Sequence, residues 1–101
     1  MSENLIDLVK IIRDRKSKDE DKSYTSSLLA GGLSKCIDKM EEEFGELKEA
    51  LNNKSNIVHE TADTIYHILV TLEAADVRFE DVLEELENRK KQSGFEEKEN
   101  R

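Results

Sequence analysis

The chain has no proline, no tryptophan, four glycines and one cysteine among its 101 residues. Without proline, no segment carries the residue that most firmly stops a helix. The lone thiol, Cys36, excludes an internal disulfide and any cysteine-built zinc site. Its expected place is a buried small apolar position, and one free thiol fits a reducing, cytoplasmic setting. No stretch approaches the ~20 apolar residues of a membrane span. The start, Met1-Ser2-Glu3-Asn4, lacks the basic, then apolar pattern of a signal peptide. There is no excess of positive charge: the formal net charge is −8, which argues against general nucleic-acid binding. Alternating β-branched runs are too few to build a sheet.

What is present is a short, highly charged, helix-favouring chain. Charged residues make up 40% and hydrophobic residues 36%, with Leu, Ile, Glu and Lys prominent. The length predicts a single domain over residues 1–101. A domain of this size buries only about 60–65% of its unfolded surface. Shared burial in a homodimer or higher homo-oligomer is therefore expected.

Periodicity predicts four helices. The first covers about Glu3 to Lys16, with Leu5, Leu8, Val9 and Ile12 on one face. A polar loop, Ser17 to Ser23, follows. A long second helix covers about Ser26 to Leu51, capped by Ser26 or Ser27, with Leu33, Cys36, Ile37, Met40, Phe44, Leu47 and Leu51 as its stripe. Gly31-Gly32 weakens its first turns. After an Asn/Ser-rich turn, Ser55 or Asn56 caps a third helix reaching about Ala75. That helix is apolar on several sides and reads as central. A fourth covers about Phe79 to Lys91. The expected fold is all-α, a four-helix-type bundle.

The chemistry-bearing feature is acidic. Glu43 and Glu46 stand three apart on the second helix; Glu60 and Asp63 repeat that spacing on the third. Antiparallel packing across one turn brings the two pairs to similar heights. A Glu-rich face on an isolated helix is ordinarily solvated, here with Lys39 and Lys48 as partners. Glu60 and Asp63 differ because their helix otherwise looks buried, where unpaired charge is expensive. Four converging carboxylates need a neutralising ion, and Mg²⁺ prefers oxygen ligands. His67, one turn after Asp63, is expected as a hydrogen-bonded core residue rather than a ligand.

The series Glu42-Glu43-x-x-Glu46, then Glu60-x-x-Asp63 after 13 residues, resembles the metal motif of the MazG-like all-α nucleotide pyrophosphohydrolases. A wider ordered set is similar to the phosphoribosyl-ATP pyrophosphatase family: Ser23-Tyr24-Thr25-Ser26-Ser27-Leu28-Leu29, Lys39-x-x-Glu42-Glu43, Glu60-Thr61-Ala62-Asp63-Thr64-Ile65-Tyr66-His67, Glu80-Asp81-Val82-Leu83, and Ser93-Gly94-x-x-Glu97-Lys98-x-x-Arg101. The resemblance spans nearly the whole chain. It implies an all-α fold completed by dimerisation and Mg²⁺-dependent hydrolysis of phosphoribosyl-ATP in histidine biosynthesis. It also implies Glu43, Glu46, Glu60 and Asp63 as metal ligands and Glu42 as the residue that orients or deprotonates water. Lys39, Lys98, Arg101, Tyr24 and Thr25 become substrate contacts. Glu41, Phe44, Gly45 and Arg78 depart from the family pattern.

Two rival readings remain at this point. One is a house-cleaning pyrophosphohydrolase acting on ordinary or damaged nucleoside triphosphates; the tail motif speaks against it. The other is a non-catalytic helical interaction module with a solvated acidic face.

Overall fold

The structure, a computed structural model, describes residues 2–16 and 23–91. Among them are five α-helices and no strand: α1 Ser2–Arg15, α2 Tyr24–Ala30, α3 Gly32–Asn53, α4 Ile57–Ala74 and α5 Phe79–Arg89. The all-α expectation holds. Among the described residues, no helix is long and apolar enough to cross a membrane.

The expected long second helix is two helices. Gly32 takes φ +88°, a left-handed conformation that costs glycine little and other residues more. The glycine pair therefore redirects the chain between α2 and α3 instead of merely weakening one helix. The cap also differs from expectation. Ser23 has extended backbone, and its hydroxyl accepts the Ser26 N–H at 3.0 Å. Ser26 is buried, and its own hydroxyl donates to the Arg15 carbonyl at 3.2 Å, fastening α2 to the end of α1.

The core gathers Val9 and Ile12 from α1, Leu28 from α2, Cys36 from α3, and Leu69 and Val70 from α4, with Leu5, Leu8, Leu29, Tyr66, Ala74 and Phe79 packed around them. Cys36 fills the small position expected of it and donates its S–H to the Leu28 carbonyl at 3.3 Å. Between Cys36 and Ala50 no side chain of α3 is fully buried. The α3–α4 hairpin thus begins in the core and ends as a two-helix arm. Two hydroxyls stitch it: those of Thr64 and Thr71 lie 3.3 Å from the carbonyls of Glu43 and Cys36. The middle of α4 is buried, as expected. Ile65 is instead 41% exposed, because no other described helix covers that flank.

At the arm's tip, Lys54 and Asn56 both adopt left-handed backbone, φ 53° and 57°. The Ser55 N–H closes the turn on the Ala50 carbonyl at 3.1 Å. Asn56 occupies the expected cap position of α4 without making a side-chain cap bond. This tight reversal sets Glu60 opposite Glu46.

A carboxylate centre on the α3–α4 hairpin

Along α3 about five turns separate Cys36 of the core from the hairpin tip, and the acidic side chains meet along this arm. Glu43, Glu46 and Glu60 each present an oxygen within 4.8 Å of the others'. His59, Glu60 and Asp63 do the same with an imidazole nitrogen and two carboxylate oxygens. Glu60 belongs to both groups, so the two helices supply one continuous patch of donors. Beside it, toward the tip, opens a cleft of about 210 Å³ between Glu46 and Glu60, lined also by Asn53, Ser55 and Asn56.

The electrostatics are those of crowding. Partial burial, followed by the charge of Glu46, pushes the Glu43 carboxyl above its usual range. Burial and then Glu46 likewise push Glu60 up. One oxygen of Glu43, Oε2, is buried without a hydrogen-bond partner. Among the described residues, no Lys or Arg forms a salt bridge with Glu43, Glu46, Glu60 or Asp63. A buried acceptor with nothing to accept from costs about 1–3 kcal/mol, and more when charged. A hard divalent cation answers each of these features: it takes oxygen ligands and offsets the repulsion. The donor set therefore fits such an ion.

The remaining expected residues fall around this patch. Glu42 is exposed on the neighbouring flank of α3, where Lys39 Nζ donates to its carboxylate at 3.3 Å. It belongs to neither donor group. That hydrogen bond raises the Lys39 ammonium above its ordinary value. Tyr24 is 56% exposed, but its hydroxyl turns inward to His67 Nε2 at 3.3 Å. Burial is the main cause that pushes its phenol up. Thr25 hydrogen-bonds the Tyr66 hydroxyl, and the Tyr24 and Tyr66 rings lie 6.4 Å apart, 21° from parallel. Lys98 and Arg101 lie outside the described residues.

His67 sits where expected, buried on α4. Its Nδ1 is 2.8 Å from the Asp63 carbonyl. A carbonyl only accepts, so Nδ1 carries the proton, and Nε2 of the neutral ring then accepts from the Tyr24 hydroxyl. Both nitrogens are engaged. The imidazole thereby links the tyrosine on α2 to the backbone of Asp63. His59 is the residue that sequence reasoning passed over. Its signal was available: it directly precedes Glu60 and stands one turn before Asp63.

Antiparallel helices with facing carboxylate pairs define a class: helical bundles whose facing side chains form an oxygen donor set suited to a divalent cation. Comparison with known sequences narrows the class. The profile of the family described as phosphoribosyl-ATP pyrophosphohydrolase matches residues 5–90. A phosphoribosyl-ATP pyrophosphatase of Rhizobium etli is 40% identical over 100 residues, covering 97% of this chain and 94% of that protein. One from Ruegeria pomeroyi is 45% identical over 96 residues, covering 93% and 91%. A histidine biosynthesis bifunctional protein of Helicobacter hepaticus is 46% identical over 99 residues, covering 96% of this chain and 43% of its own length. The chain belongs to the phosphoribosyl-ATP pyrophosphohydrolase family.

Proposed function

We propose that this chain hydrolyses phosphoribosyl-ATP to phosphoribosyl-AMP and pyrophosphate, the second step of histidine biosynthesis, with Mg²⁺ as its ion. Family membership supports the reaction. The observation that carries the site is the convergence of Glu43, Glu46, Glu60 and Asp63 without a Lys or Arg salt bridge among the described residues. The reaction joins a water oxygen to the α-phosphorus and breaks the bond from that phosphorus to the bridging oxygen. Pyrophosphate leaves.

In this reading the four acids hold the ion, which when bound supplies positive charge against phosphate oxygens and helps activate water. Glu42 orients that water and takes its proton, with Lys39 holding the carboxylate in place. Tyr24 and Thr25 shape the substrate side, anchored through His67 and Tyr66. Lys98 and Arg101 contact phosphate or ribose. Most of the protein's contribution is positioning.

The working form is a homodimer in the cytoplasm. Support comes from an apolar stripe left open on α3. Leu33, Ile37, Phe44 and Leu51 recur at helical spacing and are all exposed; α4 adds Val58 at 85% and Ile65 at 41% exposure. A monomer that exposes such a stripe is a poor end state. Sedimentation showing a stable folded monomer at micromolar concentration would remove this part of the reading.

The deciding experiment is incubation with phosphoribosyl-ATP and Mg²⁺, assayed for phosphoribosyl-AMP and pyrophosphate beside a panel of nucleoside triphosphates. Turnover of phosphoribosyl-ATP is expected. Preference for ordinary triphosphates would favour a house-cleaning role, and no Mg²⁺-dependent pyrophosphate release from any substrate would reject catalysis.

A further inference from the structure

We infer that His59 adds an imidazole arm to the carboxylate centre and biases its ion preference toward borderline divalent cations such as Co²⁺, Ni²⁺ and Zn²⁺. The inference rests on the metal-site reading above and extends it to a residue that this reading leaves unused.

The geometry is specific. His59 Nε2 lies 3.2 Å from Asp63 Oδ2 and 3.6 Å from Glu60 Oε1. Two donors that bind one ion at about 2.1 Å in cis positions of an octahedron stand about 3.0 Å apart, and in a tetrahedron slightly further. The two observed separations come close to two edges of such a polyhedron that meet at the imidazole nitrogen. Its position on α4 explains the approach: His59 and Asp63 are four apart and share a face. Glu60 reaches the same point from the adjacent position.

Accessibility separates His59 from the other imidazole nearby. The His59 side chain is 71% exposed and its ring can adjust to an entering ion. His67 is buried, with one nitrogen donating to the Asp63 carbonyl and the other accepting from Tyr24. Of the two imidazoles, only that of His59 has a nitrogen aimed at the carboxylates.

Chemistry then sets the direction of the effect. Carboxylate oxygens alone suit Mg²⁺, Ca²⁺ and Mn²⁺, whereas imidazole suits Zn²⁺, Ni²⁺ and their neighbours. A nitrogen donor added to an oxygen set therefore raises affinity for Co²⁺ or Zn²⁺ more than for Mg²⁺. Mg²⁺ also retains several waters, so one more potential ligand matters little to it.

The test uses the full chain, metal-free, titrated separately with Mg²⁺ and Co²⁺ by calorimetry. Wild type is compared with His59→Ala and His59→Gln. The exposed position lets both variants keep the fold, which circular dichroism checks. The expected result is a fall of about tenfold in the ratio of Co²⁺ to Mg²⁺ affinity in both variants, with Mg²⁺ affinity within about twofold of wild type. A second readout is independent of turnover. Proton NMR of the Co²⁺ form should display a strongly shifted, exchangeable imidazole N–H resonance that both variants lose and His67→Gln retains. If both ions bind wild type and the variants change neither the ratio nor the shifted resonance, His59 is not a ligand. If neither ion binds wild type, the carboxylate centre itself fails and takes this inference with it.

Discussion

Two ionic clusters lie toward opposite ends of α4, and they treat the same residue type in opposite ways. Where α1, α4 and α5 meet, Glu73, Asp76 and Glu80 each have a cation. Arg13 forms a two-pronged contact to Glu80, at 3.0 and 3.3 Å, and reaches Glu73 at 3.5 Å. Lys16 hydrogen-bonds Asp76 and the Glu73 carbonyl, and Arg78 adds a longer contact to Glu80. The Arg13 hydrogen bond is the main cause that draws the Glu80 carboxyl down to about 2. On the α3–α4 arm Glu43, Glu46 and Glu60 crowd one another, and Glu43 and Glu60 are raised. A paired cluster fastens helices together. A crowded one without Lys or Arg partners is a cost to the fold, and in the proposed reading a bound cation offsets it.

The largest effect should come from the unpaired end. Asp63→Asn keeps the side chain's shape and removes a charge. Turnover of phosphoribosyl-ATP should fall at least about tenfold, the low end for disturbing a metal site. Melting temperature in Mg²⁺ should lose most of the ion-induced rise, while the metal-free melting temperature stays level or increases. Equal Mg²⁺ responses and equal pyrophosphate release in mutant and wild type would dissolve the contrast between the two clusters.

The contrast also marks what the sequence could reveal. The acidic set was legible because helical spacing alone puts Glu43 with Glu46, and Glu60 with Asp63, and a single turn joins their helices. The helix break at Gly31-Gly32 was not legible, because glycine in a helix and glycine ending a helix share one composition; only the φ of +88° at Gly32 separates them. The Arg13–Glu80 contact joins residues 67 positions apart, beyond the reach of local spacing. His59 was overlooked because a single histidine among acids looks solvated until the turn geometry aims its nitrogen. Ile65 is exposed on a helix that reads as apolar on several sides, because periodicity cannot count how many helices are available to cover a face.

At the paired end, Arg13→Met keeps much of the apolar stem and removes the fork. Arg13 is more than a third exposed, so solvent screening limits the loss to about 1 kcal/mol. A chain of this length should then melt about 4–8 °C lower. The drop should be the same with and without Mg²⁺, since the fork does not touch the carboxylate centre. A drop that depends on Mg²⁺ would mean the two ends are coupled. Smaller still is Gly45→Ala. A Cβ at Gly45 meets no atom within 4 Å, so the helix gains about 0.5–1 kcal/mol. Because no charge changes, the gain should appear in chemical denaturation with the Mg²⁺ response intact; destabilisation would reveal that this open face of the arm is covered in the assembled protein.

The finest distinction is in pH, where the two clusters should shift stability in opposite senses. Glu80 has a folded value of about 2 against an ordinary 4.5. On acidification the unfolded chain takes this proton first, so the Arg13–Glu80 contribution is complete above pH 4.5 and is lost as pH falls toward about 2. Glu43 and Glu60 are raised, so the folded metal-free protein takes their protons first. Their crowding therefore destabilises at neutral pH, and the penalty eases as pH descends through their folded values toward 4.5. Melting profiles of metal-free wild type, Glu80→Gln and Glu43→Gln separate the two limbs. The wild-type advantage over Glu80→Gln should hold at neutral pH and shrink below pH 4.5. The difference between wild type and Glu43→Gln should already change above pH 4.5, with wild type gaining on the variant as acid is added. Parallel profiles for all three proteins would show that neither cluster carries the linkage that its geometry implies.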